Sequence, residues 1–161
     1  MKAAIPALLL ALVSFAPPSA GQQTAKMIDA FEQARCDDVK SRLDNAAVEV
    51  HKDPTAKLYI IFYGGKHGIR RLLPKHGEAR AFTSWWKPYI INTRDVEASR
   101  IEVIDGGFRP EFTVEFWIVP SGANPPTPKP TLTEKEIRFR RGRPNCLELF
   151  DPDSECGCVG L

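Results

Sequence analysis

A run of apolar residues from Leu58 to Tyr63, ending at Gly64 and Gly65, restricts the fold more than any other stretch. A strand with one face in water alternates apolar and polar residues, whereas a strand covered on both faces is apolar throughout. The run therefore predicts a central strand with other elements packed against it. The two glycines predict that a loop follows.

The flanking segments predict two helices. Apolar residues recur at helical spacing after Cys36 and before Pro54, which predicts a first helix with one buried face. A second helix is predicted from 78 to 92, and a kink or break is expected at Pro88 because proline removes a helical hydrogen bond. The apolar residues of the first helix are Val39, Leu43, Ala46, Ala47 and Val50.

The remaining patterns of the first 119 residues predict strands and a turn. Strands are expected at 26–31, 101–104 and 112–119, with a turn at 105–107 between the last two. The resulting order is β-α-β-α-β-β. This order predicts an α+β domain in which helices pack on a small mixed sheet.

The composition changes after Val119. Residues 120–132 contain five prolines, which cannot build the interior of a sheet and predict an extended, polyproline-like strap or linker. The next segment, 134–143, is predicted as a short edge strand with Ile137 and Phe139 facing inward.

The N-terminus has the three parts of a secretory signal peptide: a basic start, an apolar run from Ala3 to Ala16, and small residues after it. The run is shorter than the about 20 residues that a membrane-spanning helix needs. Cleavage is expected after Ala20 or after Gly21. The mature chain is therefore expected to be soluble and periplasmic or secreted, with no transmembrane span.

Three regions are predicted: a signal peptide at 1–21, an α/β domain at 22–119, and a Pro-rich strap with a cysteine-containing tail at 120–161. Loss of Lys2 with the signal would lower the formal net charge from +2 to +1. A nearly neutral chain argues against a dedicated nucleic-acid binder. Any binding of anions must therefore come from a local patch.

The chain has four cysteines. In an exported protein they are expected to form two disulfides, for which three pairings exist. A bond between Cys156 and Cys158 is disfavoured because its ring would be very small. A bond from Cys36 to the C-terminal cluster, which also includes Cys146, would tether the tail. Zinc is the alternative, but the spacing does not match the usual ligand pairs.

The loop after the central strand is strongly basic. Glycines let backbone N–H groups approach an anion, and arginines bind carboxylates or phosphates in bidentate fashion. The loop has no nucleotide-binding motif, so an anionic component of the cell envelope is the expected ligand. A solvated loop that binds nothing is the alternative. The predicted ligand-binding residues are Lys66, His67, Arg70, Arg71, Lys75 and Arg80.

Two stretches, "RLDNAAVEVHKDPTAKLYIIFYGG" and "YIINTRDVEASRIEVIDGG", resemble the OmpA-like C-terminal domain. The chain is also similar to exported bacterial proteins that share "RLDN", "YGG" and "E-[FL]-W-I-V-P". The resemblance implies a two-layer sandwich over roughly residues 26–119. OmpA-like domains bind peptidoglycan through an aspartate in this loop and an arginine early in the second helix. Here Arg80 lies near the arginine position, but no aspartate precedes Glu78, which implies a more anionic ligand.

No catalytic motif is present, so no enzyme activity and no cofactor are predicted. Asp105 with Glu115 could form an acid–base pair, and His67 with His76 could bind a metal, but isolated pairs of this kind are common on surfaces. Trp85 is predicted to be the surface tryptophan able to stack on a sugar.

The sequence thus predicts a non-enzymatic, exported module that binds peptidoglycan or another anionic envelope component through residues 64–80. The alternative is a structural domain that contacts an envelope protein through the Pro-rich extension, with a passive basic loop.

Overall fold

A computed structural model describes residues 23–69, 71–149 and 156. The predicted signal peptide, Arg70 and Cys158 lie outside the described residues. The prediction of an α+β fold is confirmed, since helices accompany a four-stranded mixed sheet.

The sheet has the strand order β1-β4-β2-β3. Strands β2 and β3 are parallel, whereas β4 pairs antiparallel with both β1 and β2. The long apolar run is therefore an inner strand, as its composition predicts. The strands are β1 (Lys26–Phe31), β2 (Lys57–Gly64), β3 (Ile101–Phe108) and β4 (Thr113–Val119).

Helix α1 (Cys36–His51) packs its predicted apolar face on one side of the sheet, and all five residues of that face are buried. The second predicted helix is two helices, α2 (Glu78–Thr83) and α3 (Trp86–Arg94). The break falls at 84–85 rather than at Pro88. Pro88 is the third residue of α3, where a backbone N–H needs no helical partner, so the proline is tolerated there. A short helix, α4 (Cys146–Leu149), lies near the C-terminus.

Two further predictions are wrong. The turn expected at 105–107 is part of β3, and Gly106 is needed there because a Cβ would lie 2.5 Å from the ring of Tyr63. Trp85 is buried rather than exposed, with its ring edge-on to the rings of Trp86 and Tyr89. The tryptophan predicted for sugar stacking is therefore a core residue.

The Pro-rich segment, 120–132, is not extended throughout as predicted: it begins with a turn, in which the N–H of Ala123 donates to the carbonyl of Pro120 at 3.1 Å. Its later residues contact the sheet at Tyr63 and Phe108. The Arg109 guanidinium stacks 3.5 Å from the centre of the Tyr63 ring and donates a 2.6 Å hydrogen bond to Glu115. The backbone N–H of Lys129 donates to the Tyr63 hydroxyl at 3.1 Å, and burial raises the pKa of that hydroxyl. The strap is thus held through polar groups of the sheet.

The segment after the strap does not form the predicted edge strand. Residues Glu134–Glu136 form a 3₁₀ turn, and Ile137 is buried as predicted. Cys36 and Cys156 form a disulfide across a sequence separation of 120. The predicted tether between Cys36 and the C-terminal cluster is therefore confirmed.

Within the described part of the chain, no helix has the length and apolarity needed to span a membrane.

An ionic clasp joins α1 to α3. Asp44 accepts two 2.6 Å hydrogen bonds from Arg94 and one of 2.8 Å from the Tyr89 hydroxyl. These bonds, chiefly those from Arg94, hold the pKa of Asp44 below its ordinary value of 3.8. A carboxylate whose pKa is lowered by folding stabilises the protein at neutral pH, and the stabilisation is lost as the pH falls below that ordinary value.

Asp44→Asn is therefore expected to lower the free energy of unfolding at neutral pH by roughly 1 kcal/mol, since the pair is about a third exposed. Urea denaturation from pH 7 into the acid range should show a shallower acid decline for the variant than for the native chain. Glu32→Gln, at an exposed position, serves as the control. Parallel pH profiles for native and Asp44→Asn proteins would contradict the role of this clasp.

Candidate functional site

The loop after β2 is held by a buried carboxylate. Glu78, at the start of α2, accepts 2.8 Å hydrogen bonds from the backbone N–H groups of Ile69 and Lys75. Its Oε1 occupies the place that a side chain at Gly68 would need, so this position requires glycine. The N–H of Gly68 also donates to the carbonyl of Leu72 at 2.6 Å. The loop is therefore preorganised, although most of it has no regular secondary structure.

The structure divides the predicted cationic residues into two groups. Lys75 is buried and bonds to Glu148 at 2.7 Å, and this bond is the main reason that the pKa of Glu148 is lowered. Arg80 pairs with Asp105 at 3.2 Å. Both cations thus have carboxylate partners within the protein.

The other predicted residues that the structure describes face solvent. Lys66, His67 and Arg71 are exposed, and the nearest carboxylate to the imidazole of His67 is Glu111, with Nδ1 and Oε1 3.7 Å apart. Arg71 has a positive φ of 58°. Among the predicted site residues that the structure describes, these three have side chains that a ligand can reach.

A second basic segment, residues 138–143, lies against the loop. Arg140 donates from its backbone N–H to the carbonyl of Pro74 at 2.9 Å and from Nε to the carbonyl of Leu73 at 3.0 Å. The ring of Phe139 stacks on His76 with the ring centres 3.7 Å apart. The site is therefore built from two segments that are about 70 residues apart in sequence.

The sequence prediction missed this second segment. Arg138, Arg141 and Arg143 are exposed, and with Arg140 they place four arginines within six residues that contain no acid. That density of charge was the available signal. The segment was predicted only as an edge strand, so its arginines were not assigned to the site.

A cleft of about 60 Å³ lies between the loop and the end of β3. Its lining includes Arg80 and Asp105, together with Phe108 and Phe112. Pockets that enclose small molecules usually measure about 300 Å³ or more. A ligand of the basic loop must therefore bind mainly on its outer surface.

A carboxylate lies at the cleft, although it comes from β3 and not from the loop. Asp105 lies beside Arg80 at the cleft, so a carboxylate and a guanidinium occupy the same site. Asp105 and Glu115 do not pair with each other, since Glu115 bonds to Arg109 on the strap-covered face. His67 and His76 each have a separate carboxylate neighbour, Glu111 and Glu134.

A second, larger depression of about 720 Å³ runs between β1 and α1. It is open and contains the ion pair between Arg42 and Asp29 at 2.6 Å. Among the described residues, no group of three or more His, Cys, Asp or Glu side chains is placed to bind a metal.

Comparison with models of known protein families gave no match, and a search of curated proteins gave none either. Functional interpretation therefore rests on the geometry of the site and on the resemblance of the sequence motifs.

Proposed function

We propose that this chain is an exported, non-enzymatic module that binds an anionic component of the cell envelope on the outer surface of the basic loop at 64–80. The observation that carries the proposal is the fixed loop itself. A buried carboxylate, Glu78, holds its backbone, while Lys66 and Arg71 remain in solvent. Preorganisation of this kind lowers the entropy cost of binding.

The neighbouring arginines support the same function. Residues 138–143 lie beside the loop and add exposed Arg141 and Arg143 to the surface. Arginine suits this role because its guanidinium binds carboxylates and phosphates through two parallel hydrogen bonds. A local basic surface on a chain of formal net charge +2 attracts anions without making the whole protein polycationic.

We further propose a divergent OmpA-like domain as the scaffold. Packing of helices on one face of a mixed sheet supports a two-layer arrangement. Peptidoglycan is among the candidate ligands because its carboxylates suit the exposed cations Lys66 and Arg71.

The alternative function, recognition of a partner protein by the Pro-rich extension, has less support. The strap is engaged by its own sheet through Lys129 and Arg109. A polyproline segment that recognises partners usually has to be accessible.

Binding should depend on the exposed loop cations. Lys66→Ala combined with Arg71→Ala is expected to weaken sedimentation with purified envelope fragments at least about tenfold at low salt, since hydrogen bonds to charged groups contribute about 1.5–3 kcal/mol each. Binding should also fall as salt is added. Envelope fragments and isolated peptidoglycan are assayed separately.

The matched control is Lys52→Ala combined with Lys57→Ala, which removes the same charge near the start of β2. The start of β2 lies roughly 23 Å from the loop at its end, at about 3.3 Å per strand residue. This control should bind like the native chain. Equal losses in the two double variants would indicate a nonspecific effect of net charge and refute the proposed site. Absence of binding to any envelope fraction would refute the function.

A further inference from the structure

The basic surface also presents two apolar side chains to water. Four large hydrophobic residues are exposed in the described part of the chain: Met27 (48%), Val48 (58%), Leu72 (56%) and Leu73 (42%). Leu72 and Leu73 are adjacent and directly follow Arg71 in the loop. Exposed leucines beside arginines differ from an ordinary solvated loop, which would carry polar residues there.

The fold holds these leucines outward. The carbonyl of Leu72 accepts a hydrogen bond from the N–H of Gly68, and the carbonyl of Leu73 accepts one from Nε of Arg140. Pro74, which follows, is buried. Because the backbone is bonded on both sides, the exposure of the side chains is a property of the folded loop.

Basic residues flank the leucines in sequence, and a second basic segment lies against their backbone. Residues 140–142 lie along residues 73–75, since Arg140 bonds to Leu73 and Pro74, and a Cβ at Gly142 would lie 3.7 Å from Cε of Lys75. Arg141 and Arg143, both exposed, therefore belong to a segment that lies directly against the loop. Among the described residues, no carboxylate oxygen lies within 4.0 Å of a guanidinium nitrogen of Arg71, Arg141 or Arg143.

We infer that Leu72 and Leu73 insert into the surface of an anionic phospholipid bilayer while the neighbouring arginines bind its phosphates. Apolar side chains enter the boundary between headgroups and acyl chains, and basic residues add attraction to anionic lipids. A peptidoglycan strand offers no such apolar layer. The inference rests on the proposed function and names the envelope component as membrane lipid.

A single-stranded nucleic acid fits this surface less well, because such ligands are held by stacking on aromatic rings. The ring of Phe139, in the adjoining basic segment, is already stacked on His76. Lipid phosphate therefore accounts for both the arginines and the leucines.

The test is cosedimentation of the full chain with vesicles of phosphatidylcholine alone or mixed with phosphatidylglycerol. Binding is expected only with the anionic lipid. Leu72→Ser combined with Leu73→Ser should lower the partition coefficient at least about fivefold, even at salt concentrations that weaken the arginine contacts.

The matched control is Met27→Ser combined with Val48→Ser, which removes equally exposed apolar groups from the β1–α1 depression. This variant should bind within about twofold of the native chain. Urea unfolding midpoints of both double variants should match the native value, because all four side chains are exposed.

The remaining outcomes separate the inference from the proposed function. Vesicle binding that requires Lys66 and Arg71 but not the leucines overturns insertion and leaves the function intact. The same holds for salt-sensitive binding to peptidoglycan without vesicle binding. The leucine variant is also compared with the native chain on envelopes before and after protease treatment. If the variant binds less well only to the untreated envelopes, the partner is a protein and the lipid is overturned. No binding to vesicles, peptidoglycan or envelopes refutes both proposals.

Discussion

Replacing Cys36 and Cys156 together with alanine is expected to lower the free energy of unfolding by roughly 3–5 kcal/mol. The disulfide closes a loop that includes nearly the whole folded domain, with 120 residues of sequence separation. Closing so long a loop removes much of the entropy of the unfolded chain. A domain of this size is typically stable by about 5–15 kcal/mol, so the loss is a large fraction of the total.

Urea denaturation of the oxidised proteins measures the difference. Addition of reductant provides the control, because it should bring the native chain to the stability of the double variant and leave the variant less affected. Peptide mapping without reductant should recover the Cys36 peptide linked to the Cys156 peptide. Equal unfolding midpoints for the two oxidised proteins would contradict the stabilising role of this bond.

Glu78→Gln is expected to lower the free energy of unfolding by about 2–4 kcal/mol. The native carboxylate accepts bonds from the N–H groups of Ile69 and Lys75. A glutamine of the same shape has only one acceptor oxygen, so its amide N–H₂ would face a buried donor. The variant should also lose order in the loop, because these bonds set its backbone.

Amide hydrogen exchange tests the local part of this prediction. The N–H groups of Ile69 and Lys75 should exchange faster in Glu78→Gln, whereas amides of β2 should change only through global stability. Glu111→Gln, an exposed carboxylate near the same loop, is the control and should stay within about 0.5 kcal/mol of the native value. Unchanged exchange at both amides would show that the loop is held by other contacts.

The sequence predicted those elements whose patterns are local. The apolar run at 58–63 and the apolar face of α1 predict which residues are buried, because a residue's environment follows from its position within the element. The turn predicted at 105–107 failed for a tertiary reason. Gly106 lies against the ring of Tyr63 on the neighbouring strand, and this contact requires a glycine. When only the sequence is considered, the same glycine indicates a turn.

The candidate site was predictable only in part for the same reason. The basic residues of the loop were visible in sequence, but the carboxylates that neutralise Lys75 and Arg80 come from α4 and β3. Residues 138–143 join the site only through packing of Arg140 on Leu73 and Pro74. Pairings across such distances leave no periodic signal in a single sequence.

Packing of residues 138–143 on the loop has a consequence for the order of events during synthesis. Ribosomes make the chain from its N-terminus, so the loop at 64–77 emerges long before the arginines that complete its basic surface. Glu148, which neutralises Lys75, and Cys156, which secures the tail, follow later still. A growing chain therefore lacks the finished surface until residues 138–148 have been made and packed on the loop.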